Sequence, residues 1–124
     1  MTVTGKMKYA LLVDDEPEIC LLLANILRRV GTECSIAHTL EEGRAALLTT
    51  RFDAVFLDVH LPDGLGYDLI PEIKVSHPSA RAIAISAMDN ERPRAEAAGA
   101  DLFVSKPFDR ATILSSIREL GFPG

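Results

Sequence analysis

Tryptophan is absent from this chain, aromatic residues make up only 6% of it, and its 124 residues include just two cysteines. Cys20 and Cys34 form neither a CxxC redox pair nor a zinc-ligand spacing, so both are expected to be reduced, buried thiols. No stretch approaches the ~20 consecutive apolar residues of a membrane-spanning helix. Residues 1–8 lack the apolar centre of a signal peptide, so the expected location is the cytoplasm. Positive charge is in deficit as well: 13 Lys+Arg face 18 Asp+Glu, a net charge of -5. Direct nucleic-acid binding needs a surplus of basic side chains against the phosphate backbone and is excluded on that ground. Repeats, low-complexity tracts and linkers are missing too.

What is present is a chain that is 48% apolar. At this length a fold buries roughly two-thirds of its unfolded surface, enough to hold a core without disulfide or metal staples. One domain over 1–124 is expected, with 1–7 disordered and 121–124 a tail.

Short apolar runs alternate with segments of helical period, the pattern of an α/β protein. Strands are expected at 9–13, 33–37, 54–57, 82–85 and 102–104. The third and fourth are apolar at successive positions, as parallel strands covered on both faces are. Ile19, Leu22, Leu23, Ile26, Leu27 and Val30 predict a first helix with Pro17 in its opening turn and Gly31 as its stop. Leu40, Leu47 and Leu48 mark a second helix over 40–49, and Leu69, Ile70 and Ile73 a third, shifted or kinked by Pro71. The fourth has only Ala95, Ala97 and Ala98 for an apolar face, so it should be short, capped by Asn90 and stopped by Gly99. The last, over 109–120, opens on Asp109 as N-cap, carries Ile113, Leu114, Ile117 and Leu120, and closes at Gly121.

Such an alternation most often becomes a doubly wound, flavodoxin-like five-stranded parallel sheet of order 2-1-3-4-5, with its ligand site beyond the carboxyl ends of the strands. The residues at those ends are Asp14 and Asp15, then Asp58, then Ser86, then Ser105-Lys106-Pro107. Three carboxylates, one hydroxyl and one ammonium therefore converge. Clustered carboxylates repel one another unless a cation joins them, and oxygen ligands suit a hard divalent ion such as Mg²⁺. With that ion in place, one carboxylate can attack phosphorus while the hydroxyl and the ammonium hold phosphoryl oxygens, giving an acyl phosphate on an Asp.

Leu11-Leu12-Val13-Asp14-Asp15-Glu16-Pro17, Phe56-Leu57-Asp58-Val59-His60-Leu61-Pro62-Asp63-Gly64, Ile85-Ser86-Ala87, and Ala98-Gly99-Ala100-Asp101 leading to Ser105-Lys106-Pro107-Phe108 occur in order along nearly the whole chain. Together they resemble the receiver domain of bacterial two-component response regulators, of the chemotaxis-regulator type. The resemblance implies that Asp58 is the phosphoacceptor and that Asp14, Asp15 and Asp58 hold Mg²⁺, or Mn²⁺ in its place, with the backbone carbonyl of His60. It further implies that Ser86 and Lys106 bind the phosphoryl group, that Ser86 and Phe103 form the switch, and that His60 and Met88 tune dephosphorylation. The implied partners are a histidine kinase or phosphotransfer protein, and a downstream protein or an output domain outside this chain. Such a domain is a signalling switch that catalyses only its own phosphorylation and dephosphorylation, acting as a monomer or a weak phosphorylation-dependent dimer through its fourth helix, fifth strand and fifth helix.

Each motif also has a plainer reading on its own. Asp14-Asp15 could cap the first helix, Asp58 could form a turn, and Lys106-Pro107 could be a solvated bend with a cis bond. Among other classes, an aspartyl-phosphate phosphatase places a second Asp where His60 stands. A flavin-binding domain needs a phosphate-cradling loop where this chain has Asp14-Asp15-Glu16, which disfavours an anion without a metal. A degenerate receiver that works only as a protein-interaction module is the remaining alternative.

Overall fold

The computed structural model describes residues 7–122, and within them the apolar runs pair edge to edge as parallel strands. These are β1 (Tyr9–Val13), β2 (Glu33–Ala37), β3 (Ala54–Asp58), β4 (Arg81–Ser86) and β5 (Leu102–Ser105). Their spatial order is β2-β1-β3-β4-β5, as expected for the flavodoxin-like doubly wound fold. The register sets the ends level: Val13 lies beside Ala37 and Leu57, Asp58 beside Ile85, and Ser86 beside Ser105.

Among the described residues, five helices cover the two faces: α1 (Pro17–Arg29), α2 (Leu40–Thr49), α3 (Leu69–Ser76), α4 (Arg92–Ala97) and α5 (Arg110–Glu119). Because side chains alternate across a strand, each central strand feeds both cores. Leu12, Phe56, Ile83 and Ile85 pack with Leu23, Ile26 and Leu27 of α1 and Ile113 and Ile117 of α5. Leu11, Val13, Val55 and Leu57 pack on the other face with Leu40 and Leu47 of α2, Leu69, Ile70 and Ile73 of α3, and Ala95 of α4. Among the described residues, no helix is long and apolar enough to cross a membrane.

Several local expectations need correction. Leu22 and Leu48 belong to the apolar periodicity of α1 and α2, yet they are 40% and 87% exposed. Cys20 is buried but Cys34 only half so. Met7 and Phe122, placed in a disordered start and a tail, are buried against the α1/α5 core, where each ring or thioether removes apolar area from water. The rest of those two expectations concerns residues 1–6 and 123–124, outside the described residues. Asn90 does not cap α4. It lies within a single 3-10 turn, Asp89–Glu91, and the residue before the helix, Glu91, makes no side-chain cap bond. Pro71 stands third in α3, after a 3-10 turn Gly66–Asp68, so it falls in the first turn, where no intrahelical bond is lost. α4 is short as expected, and Ala95 is its one buried residue.

After β3 the chain makes a small antiparallel hairpin, His60–Leu61 against Gly64–Leu65, that the residue pattern does not announce. Its tip residue Asp63 caps a helix from outside: its carboxylate accepts from the Leu40 and Glu41 amides at 2.8 and 3.0 Å. Thr39 adds the cap from within, accepting from the Glu42 amide at 3.0 Å. Those amide bonds, that of Leu40 foremost, hold the Asp63 carboxyl below its ordinary value of 3.8. A carboxylate depressed in the folded state stabilises above its unfolded value and stops doing so as pH falls through the folded one. Asp63→Ala is therefore expected to melt below the wild type near neutral pH, with the gap closing in strong acid. A gap of constant size across a pH series of thermal melts would contradict this.

Candidate functional site: an acidic pocket at the carboxyl end of the sheet

Asp58 closes β3 and is only 6% exposed. Its Oδ1 accepts from the His60 amide at 3.1 Å, and its Oδ2 accepts from Lys106 Nζ at 3.3 Å. Asp14 follows β1 and is 1% exposed, pinned by its own amide to the Ala37 carbonyl at 3.0 Å. Its Oδ1 accepts from the Glu16 amide at 2.8 Å. Its Oδ2 is buried and makes no hydrogen bond, although Lys106 Nζ stands 3.0 Å away outside hydrogen-bonding alignment. Lys106 makes its shortest contact with Glu16 Oε1, at 2.7 Å, and is joined to Pro107 by a cis bond.

Asp14, Asp15, Glu16 and Asp58 thus bring a carboxylate oxygen each within 4.8 Å of one another, Asp14 and Asp58 buried and the other two exposed. The Lys106 ammonium pairs with three of these four carboxylates, Asp14, Glu16 and Asp58. Burial first, and then the charge of Asp14, push the Asp58 carboxyl above its ordinary range. Burial works against the Lys106 ammonium, but pairing with Glu16 and Asp14 and the charge of Asp58 outweigh it and raise its value. The donor set is all hard oxygen, its charge exceeds what Lys106 supplies, and one buried oxygen has no donor. Those are the properties of a divalent-cation site of the Mg²⁺ kind.

Ser86 ends β4 at the same edge, 1% exposed, with its Oγ accepting from the Met88 amide at 3.0 Å. Its carbonyl accepts from the Lys106 amide at 2.8 Å, which ties the two strand ends together. Phe103 lies deeper, 6% exposed, its ring covered by the Arg92 guanidinium of α4 at 4.8 Å. Met88 stands 49% exposed beyond Ser86. The structure therefore gathers Asp14, Asp15, Asp58 and Lys106 and sets Ser86 beside them, while none of the described contacts joins Phe103 or the Met88 side chain to the cluster.

Two acidic residues with no role in the motif reading belong here. Glu16 holds the lysine, and the Asp14-Asp15-Glu16 run was its only signal. Glu91 meets His60 and Tyr67 beside the pocket: His60 Nε2 is 3.2 Å from Glu91 Oε2, and the Tyr67 hydroxyl donates to Oε1. Burial, and then the bond to Glu91, push the Tyr67 hydroxyl up to about 12, while that same bond foremost holds Glu91 below its ordinary value.

The family model of the response regulator receiver domain matches residues 10–118. The response regulator protein PilR of Pseudomonas aeruginosa is 38% identical over 113 residues, which cover 90% of this chain and 24% of PilR. The chemotaxis protein CheY of Thermotoga maritima is 31% identical over 118 residues, covering 91% of this chain and 97% of its own. Against PilR and the transcriptional regulators it matches, the chain spans from 24% to about 50% of their length. Among solved structures, a response regulator protein from Burkholderia pseudomallei, with a phosphorylated aspartic acid, a calcium ion and citrate, has a TM-score of 0.82 to this fold. It is 27% identical over 89% of this chain and 66% of that one.

Proposed function

The chain belongs to the response regulator receiver domain family, and from that membership we propose that 1–124 is one receiver domain in which Asp58 accepts a phosphoryl group. The observation that carries this reading is the buried Asp58 carboxylate held between Lys106 at 3.3 Å and the acidic cluster of Asp14. The donor is a histidine kinase, a phosphotransfer protein or a small phosphodonor. An Asp58 oxygen forms the new bond to phosphorus, the donor's bond to phosphorus breaks, and the leaving group departs with its electron pair. Bound among Asp14, Asp15, Asp58 and the His60 carbonyl, Mg²⁺ or Mn²⁺ supplies the positive charge that offsets the carboxylates and the incoming phosphoryl oxygens.

Lys106 then exchanges Glu16 for a phosphoryl oxygen, and the Ser86 hydroxyl donates to another. Each new bond moves a strand end, so a local charge biases a two-state surface of α4, β5 and α5, with Phe103 turning between its two arrangements. That surface is read by a downstream protein, an output domain or a second copy in a weak dimer. The test is intact mass after incubation with a small phosphodonor. One phosphoryl adduct is expected with Mg²⁺ and none with chelator or in Asp58→Asn, whereas an adduct that persists in Asp58→Asn rejects the reading.

His60 follows the phosphoacceptor by two residues, and its bulky ring orients an attacking water poorly. His60→Asn is expected to shorten the phosphorylated lifetime several-fold, by letting water approach. An unchanged rate of adduct loss would remove His60 from this role.

A further inference from the structure

At one carboxylate beside the pocket, the turn before α4 meets the stretch 60–68 that follows β3. Glu91 lies in the turn before α4, Tyr67 in the turn before α3, and His60 in the hairpin after β3. The Glu91 side chain is only 15% exposed despite its charge. One of its oxygens takes the Tyr67 hydroxyl, its backbone carbonyl receives the same hydroxyl at 3.4 Å, and its other oxygen faces His60 Nε2 at 3.2 Å. Tyr67 is itself buried, and the Arg94 guanidinium covers its ring at 4.6 Å from the centroid. Tyr67 thereby holds Glu91 independently of its contact with His60.

His60, in contrast, is attached at both ends. Its amide donates to Asp58 Oδ1 at 3.1 Å, and its imidazole is held by Glu91. Without Glu91 that ring, which is half exposed, keeps only its own rotamer preferences to place it.

We propose that Glu91 is a positioning residue that fixes the His60 ring on the α4 side of the pocket and so lengthens the life of the phosphoryl group on Asp58. This rests on the phosphoacceptor reading above. The step it slows is hydrolysis: a water oxygen bonds to phosphorus, the bond from phosphorus to the Asp58 oxygen breaks, Asp58 returns as carboxylate, and the water proton leaves with inorganic phosphate. A ring tied in one place excludes that water, and a ring that turns freely admits it. α4 thereby enters the chemistry through a carboxylate, so a partner that moves α4 also changes how long the switch stays on.

The test is a double-mutant cycle on the full chain, with adduct loss followed by intact mass after the phosphodonor is removed. Glu91→Ala is expected to shorten the lifetime about threefold or more in the wild type and to do nothing further in a His60→Ala background. Glu91→Gln keeps an oxygen for Tyr67 and an amide for the imidazole, and is expected to restore most of the lifetime. An unchanged or lengthened lifetime in Glu91→Ala, or the same shortening with and without His60, overturns the proposal. The anchor is also read without phosphorylation. The His60 ring signal in NMR should narrow and move in Glu91→Ala, and a signal identical to that of the wild type overturns it. If Asp58 takes no phosphoryl group the phosphoacceptor reading falls, and the ring signal still decides whether Glu91 holds His60.

Discussion

Asp58→Asn is expected to take no phosphoryl group from a small phosphodonor and, in metal-free buffer, to melt several degrees above the wild type. The first effect follows from removing the nucleophile, since an amide cannot form the acyl phosphate. The second follows from electrostatics: Asp58 is 6% exposed and repelled by Asp14, and folding holds its charge where water cannot solvate it. Lys106 keeps Glu16 and the neighbouring Asp14 in the variant. A relief of about 1 kcal/mol is worth roughly 3–5 °C in a domain between the 100- and 150-residue classes. Added Mg²⁺ should then raise the melting temperature of the wild type more than that of Asp58→Asn, because an ion that binds only the folded chain stabilises in proportion to its affinity. Scanning calorimetry with and without Mg²⁺ measures both, and a variant that melts below the wild type without metal would refute the repulsion argument.

Gly66→Ala is expected to damage both the fold and the reaction. Gly66 opens the turn before α3, and a Cβ there would lie 2.5 Å from the Asp58 carbonyl oxygen and 3.0 Å from Leu57 Cγ. The first of these is backbone, and it is the backbone of Asp58, the proposed phosphoacceptor. The Gly66 amide is meanwhile tied to the Val59 carbonyl at 2.7 Å, so the turn has no room to retreat. Overpacking of this kind costs about 1–3 kcal/mol, and displacing a reacting group by an ångström slows a reaction by up to about a hundredfold. Gly43→Ala is the control. Its Cβ would meet only side-chain methyls of Leu69 and Val13 at 3.3 Å and beyond, within a helix that alanine favours. Denaturant melts and phosphorylation rates compared for the two variants would reverse the assignment if Gly43→Ala proved the more damaging.

The sheet was legible in the sequence because a parallel strand buried on both faces has to be apolar at successive positions. The runs around Phe56 and Ile83 have no other use. The pocket was legible for a related reason: in a doubly wound sheet the residues that follow the strands share one edge, so Asp14, Asp58, Ser86 and Lys106 could be placed together without knowing any loop. What escaped depends on contacts that no spacing encodes. Periodicity marks the centre of an apolar stripe but not its width, and so Leu22 and Leu48 were assigned to a core that leaves them in water. Asn90 has the right chemistry for a cap, but the chain makes a 3-10 turn through it first. Glu91 meets Tyr67 and His60 only because the turn before α4 folds against the stretch that follows β3, and the constraint on Gly66 exists only because the Asp58 carbonyl passes beneath it.

Lys106 gives the pocket a cation that arrives with the fold. An ammonium carried on the chain sits beside Asp14, Glu16 and Asp58 at a high effective concentration, independent of what the solvent contains. A divalent ion entering from solution competes with that tethered charge, which weakens its binding and speeds its exchange. While metal is scarce Lys106 offsets part of the repulsion among the carboxylates, and the remainder is what Asp58→Asn relieves. Under the proposed function, such a pocket is expected to respond to metal and phosphoryl group together more than to metal alone.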